Sequence, residues 1–600
     1  MDKFKEFAQK YSLKELSGLI LITILLFIIT YAKSDSFIID VGREAVLPWQ
    51  MLEGKVLFRD LFNVYGAVSY QINALAFMIF GTKLSTLYFL GLFSSILIVS
   101  AMFYITKYFT NNITAFFLAL LALPSCVFGK VLHNFSFPYA YAAVYALIGY
   151  FLSAGAFLAF IKERKSLFLC LAFLFAGFSF GNKIEHAPYF ALLFVILPFL
   201  RINLKSKLAA ASSFFVIPAV STFVLILQGA GINNLLEAGK YAHNLSQTPS
   251  FQNLYVRYGL YYNNFFVKFS IIDFLKLFAV LLPLSGVLYG LNCLKAKITR
   301  KMLFYSLYTG FVLIFCVVIF NMFKAQQPVI FDWLGIACIV IFAGFCVFLG
   351  RKIYKKEEIS TEDIMYIFLL ASTITVSVKG IASIQLECYG TFPAAALSVP
   401  FVIFCSKYLC KVSKKIDKNH WNAVLATILA IFSILYFTDL FIKQTIFHRY
   451  PVTTQRGTIY VKKELRYMQE LVNYIEKNTP QGAKILSVPE SSIINFLTER
   501  PTHEKYYYLI TPNVELFGEE NILSDLKKDP PDYFLLNTMP YVCFDVEDFC
   551  SYAGKICNFI NEEYTPVFYL DGKVKYFLFK TVTIIGHIIQ EFIFYQRYFI

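Results

Sequence analysis

Apolar runs about as long as a bilayer is thick recur along this chain, and they constrain its fold more than any other feature. A membrane-crossing helix needs roughly 20 mostly apolar residues. Such runs stand at about 16–32, 84–105, 113–129, 139–161, 167–181, 187–200, 208–228, 272–292, 302–322, 329–350, 364–380, 394–410 and 422–442, thirteen in all. Of the 600 residues, 58% are hydrophobic and 16% charged. A soluble domain averages roughly 45–50% apolar and about 25% charged. A soluble chain cannot hide this much Phe, Leu and Ile in its cores. The expected fold is an α-helical polytopic membrane protein of about thirteen spans.

A net charge of +15 raises the question of a nucleic-acid partner, and its distribution answers it. From residue 444 onward there are 16 Lys and Arg against 19 Asp and Glu, a net of −3. Residues 1–443 hold 38 against 20, a net of +18. The excess falls in alternate loops: Lys107; Lys162, Arg164 and Lys165; Arg201, Lys205 and Lys207; Lys295, Lys297, Arg300 and Lys301; Arg351, Lys352, Lys355 and Lys356; Lys407, Lys411, Lys414, Lys415 and Lys418. The intervening short loops carry single cations: Lys130, Lys183, Lys324 and Lys379. Loop cations accumulate on the cytoplasmic side. The bias keeps one phase throughout, so the N-terminus is expected in the cytoplasm and the segment after residue 443 outside it. No nucleic-acid partner is expected. The first span lacks a small-residue cleavage pattern and is expected to be an anchor.

Three outer segments are large: the first loop at 33–83, a Tyr- and Asn-rich loop at 229–271, and the tail at 444–600. The tail reads as a small α/β domain. Its pattern predicts a helix over 461–477, a strand over 484–488, a helix over 491–497 and a strand over 533–536. A hairpin is expected around Asp571-Gly572, between 564–570 and 574–579. Cys543, Cys550 and Cys557 lie in this exported tail, where one pair can bridge. Their seven-residue spacing is not a zinc pattern.

The first loop holds Asp35, Asp40, Glu44, Glu53 and Asp60, five of the 20 acids in the membrane part. Residues 43–53 are expected to form a short helix at the membrane interface with Trp49 as its anchor, and 67–80 a second. An Asp emerging beside a span, then interfacial helices and a second Asp, makes a pocket at the membrane surface. A carboxylate there can take a proton from a hydroxyl or hold a divalent cation. The bland alternative is that Asp40 caps a helix and Asp60 pairs with Arg59 or Lys55.

The order of residues in this loop resembles the integral-membrane glycosyltransferases of the GT-C type that use polyprenyl-phosphate sugars. These include protein O-mannosyltransferases, the aminoarabinose transferase of lipid A and galacturonosyl transferases of lipopolysaccharide core. The similar elements are Asp40, Arg43-Glu44-Ala45, Met51-Leu52-Glu53-Gly54-Lys55 and the stretch from Phe58 to Gly66. In the tail they are 485–490, 495–501 and Pro530-Pro531-Asp532-Tyr533. The resemblance implies sugar transfer from a lipid phosphate to a lipid, glycan or protein acceptor on the outer face of the cytoplasmic membrane, with inversion. The Asp matching position 40 is then the general base, with Asp60 as a second catalytic candidate.

A lipid-phosphate leaving group calls for cations near the membrane. Lys183, in Gly181-Asn-Lys-Ile-Glu-His186, is a candidate, oriented by Glu185 or His186; the alternative is a Lys183–Glu185 pair at a helix end. Lys379 is a second candidate, with Glu387 able to neutralise it. Arg43 and Arg59 are further candidates, each with a neighbouring acid, Glu44 or Asp60. Glu44 and Tyr65 are supporting residues. Arg257 is a remote possibility, and His133 reads as a polar cap. No cofactor is indicated with certainty; a divalent metal can sit at Asp40 with Asp60 or Glu185. The rival class is a transporter or flippase of a lipid-linked sugar, which would favour inverted repeats and mid-membrane charge.

Overall fold

The computed structural model describes residues 12–33, 41–129, 134–136, 139–257, 334–378, 391–409, 418–503, 505–539, 548–572 and 574–581, with a few isolated positions. Eleven of the thirteen apolar runs are helical; those at 272–292 and 302–322 fall almost wholly outside the described residues. In chain order the helices are α1 (Leu13–Thr30), α2 (Val41–Leu52), α3 (Ala67–Phe80), α4 (Leu84–Phe109), α5 (Asn112–Ala122), α6 (Tyr141–Glu163), α7 (Ser166–Asn182) and α8 (Ala187–Ile196). They continue as α9 (Leu204–Leu227), α10 (Ile232–Ser246), α11 (Pro249–Arg257), α12 (Leu334–Tyr354), α13 (Thr361–Val376), α14 (Thr391–Ile403) and α15 (Lys418–Leu440).

Among the described residues, seven helices are long and apolar enough to cross a membrane. Others are shorter: α7 has 17 residues and α3 has 14. At 1.5 Å per residue, a 14-residue helix rises only about 21 Å, so α3 does not span, as its sequence predicts. Helix α5 gives way at Pro124 to a π-helical turn, Leu123–Val127, where the missing proline N–H cannot continue the ladder.

Polar side chains link the helices inside the bundle. The Tyr150 hydroxyl lies 2.7 Å from Thr373 Oγ1, and Ser153 Oγ lies 2.7 Å from the Tyr189 hydroxyl. Such contacts hold helices together where lipid removes the hydrophobic drive between them. The loop cations gather at one end. There Lys352 pairs with Asp363 at 3.1 Å, Lys407 pairs with Glu362, Lys162 Nζ stands 5.1 Å over Tyr108, and Ser166 meets Ser206 at 2.9 Å. The first loop and the tail occupy the other end.

The tail begins with a hairpin of β1 (Tyr450–Thr454) and β2 (Gly457–Val461). It continues through α16 (Met468–Asn478), β3 (Ile485–Val488), α17 (Ser492–Thr498), α18 (Thr511–Phe517), α19 (Glu519–Lys528), β4 (Tyr533–Asn537), α20 (Gly554–Glu563), β5 (Tyr564–Leu570) and β6 (Tyr576–Thr581). The sheet order is β3-β4-β6-β5, with β3 and β4 parallel and the other pairs antiparallel. The hairpin expected around Asp571-Gly572 is β5–β6. The helix expected from 461 starts later, at Met468, because Val461 is spent on the β1–β2 ladder. The same hairpin grips the membrane part: the Tyr460 N–H donates to Ala32 O at 2.8 Å. Cys550 and Cys557 form the disulfide; Cys543 lies outside the described residues.

Candidate active site

Helix α2 opens the first loop, and ten of its 12 residues are buried. The tail and the rest of the first loop bury it. A Cβ on Gly42 would stand 2.2 Å from Ser492 Oγ and 2.3 Å from Ile493 N, so only glycine lets α2 lie this close to α17. Arg43 gives a forked pair to Glu490, Nε to Oε1 at 2.8 Å and Nη2 to Oε2 at 2.9 Å. Its guanidinium also lies 4.2 Å from the Tyr508 ring centroid. Gln50 Nε2 donates to Thr502 O at 3.3 Å. Trp49 is not at a lipid interface: Arg456 stacks over it at 4.0 Å, and Phe496 packs edge-on at 6.2 Å. Arg456 in turn meets Glu499 at 3.2 Å.

Residues 56–61 form a tight turn closed by Asp60. Its Oδ2 accepts the Val56 N–H at 2.8 Å and Arg59 Nη2 at 2.7 Å, and its Oδ1 accepts Arg59 Nε at 2.8 Å. These bonds from Arg59 hold the Asp60 carboxyl below its ordinary pKa. Arg59 also reaches Gly229 O at 3.5 Å, at the end of α9. Asp60 and Arg59 thus stand in the pairing that the bland alternative foresaw.

The loop then runs onto the corner between α7 and α8. The Gly66 N–H donates to Asn182 O at 3.2 Å. A Cβ at Gly66 would fall 1.9 Å from Gly181 O, so the two backbones touch. The contact puts the Tyr65 ring 5.3 Å from Lys183 Nζ. Lys183 is buried, and its Nζ is 3.6 Å from Glu185 Oε2. His186 Nδ1 and Ser179 Oγ are 2.7 Å apart. Tyr65 thus joins Lys183, Glu185 and His186, more than a hundred residues later in the sequence, in one cluster.

Behind α2 and α3 the site has a polar back wall. Glu44 is 3% exposed. Asn73 Oδ1 accepts the Tyr145 hydroxyl at 2.8 Å. Asn73 Nδ2 and Ser69 Oγ are buried with no hydrogen-bond partner among the described residues.

Asp40, directly before α2, lies outside the described residues, as do Lys379, Glu387 and His133. Sequence reasoning missed Glu490, Tyr508 and Arg456, whose partners lie hundreds of residues away. It also missed the buried Ser69 and Asn73, although both sit on the inward face of the predicted second helix. No group of three or more His, Cys, Asp or Glu that could hold a metal occurs among the described residues. Asp60 already accepts three N–H bonds, so a metal there would have to displace Arg59.

No family model matches the chain. No curated protein matches it either. Solved structures do. One is the oligosaccharyltransferase of Archaeoglobus fulgidus, crystallised with zinc and sulfate (TM-score 0.49, 13% identity, covering 94% of this chain and 72% of that one). Another is ArnT from Cupriavidus metallidurans bound to undecaprenyl phosphate (TM-score 0.40, 10% identity, covering 95% and 98%).

Proposed function

We propose that the chain is a membrane glycosyltransferase whose site lies between the first outer loop, the Lys183 corner and the tail. It takes a sugar from a polyprenyl-phosphate donor to a hydroxyl-bearing lipid, glycan or protein on the outer face of the cytoplasmic membrane. Asp40 is the general base: its carboxylate takes the acceptor proton as the acceptor oxygen attacks the anomeric carbon. The bond from that carbon to the phosphate oxygen breaks, inverting the centre, and the lipid phosphate leaves with the negative charge. Lys183 meets that charge, with Glu185 and His186 orienting it.

The observation that carries this reading is the contact of Gly66 with Gly181 and Asn182. It joins the loop bearing Asp40 to the one buried lysine at this end of the bundle among the described residues. A buried ammonium near a bilayer is costly, roughly 2.5–3.5 kcal/mol on insertion scales. A phosphate headgroup arriving laterally from the lipid is an apt counter-charge.

The test supplies purified protein with a panel of radiolabelled polyprenyl-phosphate hexoses and pentoses and a membrane extract as acceptor. Asp40→Asn is expected to lower transfer by about 10²–10⁴-fold, the usual worth of a positioned base. Transfer that survives the substitution sinks the assignment. Transbilayer movement of the lipid without transfer points to a flippase.

A further inference from the structure

The helix that follows Asp40 is held by the tail through an ion pair that spans 447 residues of sequence. Glu490 sits just past the end of β3, and its side chain is wholly buried. Its backbone is fixed as well: Asn537 Nδ2, at the end of β4, donates to Glu490 O at 2.8 Å and to Ser491 Oγ at 3.0 Å. The carboxylate is therefore a rigid mount on the sheet. Arg43 docks on it with a planar fork, which fixes orientation as well as distance. Tyr508 closes the guanidinium's face, and Gly42 allows contact of α2 with the start of α17. Arg43 lies in the first turn of α2, so a rotation of the helix about this pair moves its start.

A buried ion pair adds little stability over an apolar pair of the same volume. What it supplies is direction. We propose that Glu490 is a positioning residue: through Arg43, the tail sets the pose of α2, the helix that follows Asp40 in sequence. The proposal rests on the reading of Asp40 as the base. It assigns the tail a part in the chemistry, although no tail residue need touch the donor.

Two measurements test it on the full-length protein in detergent. The first is hydrogen exchange of the amides in 41–52, which needs no substrate. Glu490→Gln and Arg43→Lys are expected to speed exchange there and to leave α6 and α7 unchanged. The second is transfer kinetics with the panel of radiolabelled polyprenyl-phosphate sugars. Both variants are expected to lose turnover by about 100-fold, the scale of a roughly 1 Å misplacement, with little change in donor KM. The double variant Arg43→Met/Glu490→Met removes both charges; it is expected to recover the thermal stability of wild type but not its turnover. Turnover that returns together with stability would reduce the pair to a fold-holding contact and overturn the proposal. Unchanged exchange in Glu490→Gln would do the same. Transfer that survives Asp40→Asn would remove the base while leaving the exchange result to judge the hold on α2.

Discussion

Gly66→Ala probes the junction on which the site depends. Gly66 has φ −61° and ψ 154°, a conformation any residue adopts, so only lack of room forbids a side chain. The new Cβ would sit 1.9 Å from Gly181 O, 2.7 Å from Gly181 C and 3.2 Å from Asn182 O. A carbon meets a carbonyl oxygen comfortably at about 3.3 Å, so one backbone must retreat by roughly 1.4 Å. No rotamer can relieve it, because the three atoms nearest that Cβ are all main chain. Overpacking of this kind costs about 1–3 kcal/mol. Lengthening the Gly66 N–H to Asn182 O bond adds about 1 kcal/mol. The expected loss in thermal unfolding is thus roughly 2–4 kcal/mol. The same retreat moves Tyr65 off Lys183, and a displacement of that size lowers turnover by about 100-fold. Melting in detergent and label transfer are read on one preparation. Wild-type melting with wild-type turnover would show that the loop and the corner do not meet in this way.

Three further outcomes follow from the same contacts. Asp60→Asn removes a carboxyl whose native pKa is lowered by Arg59. Such a group stabilises above its unfolded pKa, about 3.9, and loses that contribution as pH falls through the lower native value. The variant should therefore be less stable than wild type at neutral pH, and the difference should vanish in strong acid on a pH series of melts. Opening the Cys550–Cys557 bridge with paired serines frees a loop with a sequence separation of 7. A chain-entropy estimate gives about 2.5 kcal/mol of tail stability, and thiol titration of the unfolded wild type should find both sulfurs oxidised. Trp49→Ala uncovers Arg456 and Phe496 and should cost about 3–5 kcal/mol, read by thermal unfolding. A Trp49 that faced lipid would instead leave the melt nearly unchanged.

The spans were legible because each of their residues faces lipid or a lipid-like core, so a run of twenty carries the signal alone. The tail strands at 485–488 and 533–537 and the β5–β6 hairpin were legible for a similar reason: their apolar runs are bounded by Pro, Gly and Asp. The failures share a cause too. Val461 has the spacing of a helix and the partner of a strand, and the partner decided. Trp49, in the short helix expected at the interface, resembles an anchor, but Arg456 and Phe496, some 400 residues on, cover it. Glu490 ends the 485–490 stretch that carries the resemblance, but its bond to Arg43 has no local sign; it exists only where α2 and the tail meet. The Asp60–Arg59 pair, with adjacent residues, could be read directly.

The contacts also rank the cations proposed for the leaving phosphate. Taking Arg43 away would remove the forked partner of a wholly buried carboxylate, which costs several kcal/mol. Taking Arg59 away would leave Asp60 with the Val56 N–H and undo the turn. Lys183 is different. Its carboxylate neighbour is 3.6 Å off, beyond a close hydrogen bond, and Glu185 itself is partly exposed and can turn to water. A flexible lysine stem can swing its ammonium toward a new anion. Lys183→Gln is accordingly expected to raise the donor KM by roughly 10–100-fold, the worth of one hydrogen bond to a charged group at about 1.5–3 kcal/mol, with thermal stability nearly kept. Arg59→Gln should do the reverse, lowering stability and leaving the donor KM alone. A donor KM that moves with Arg59 and ignores Lys183 would transfer the phosphate to the loop and refute the ranking.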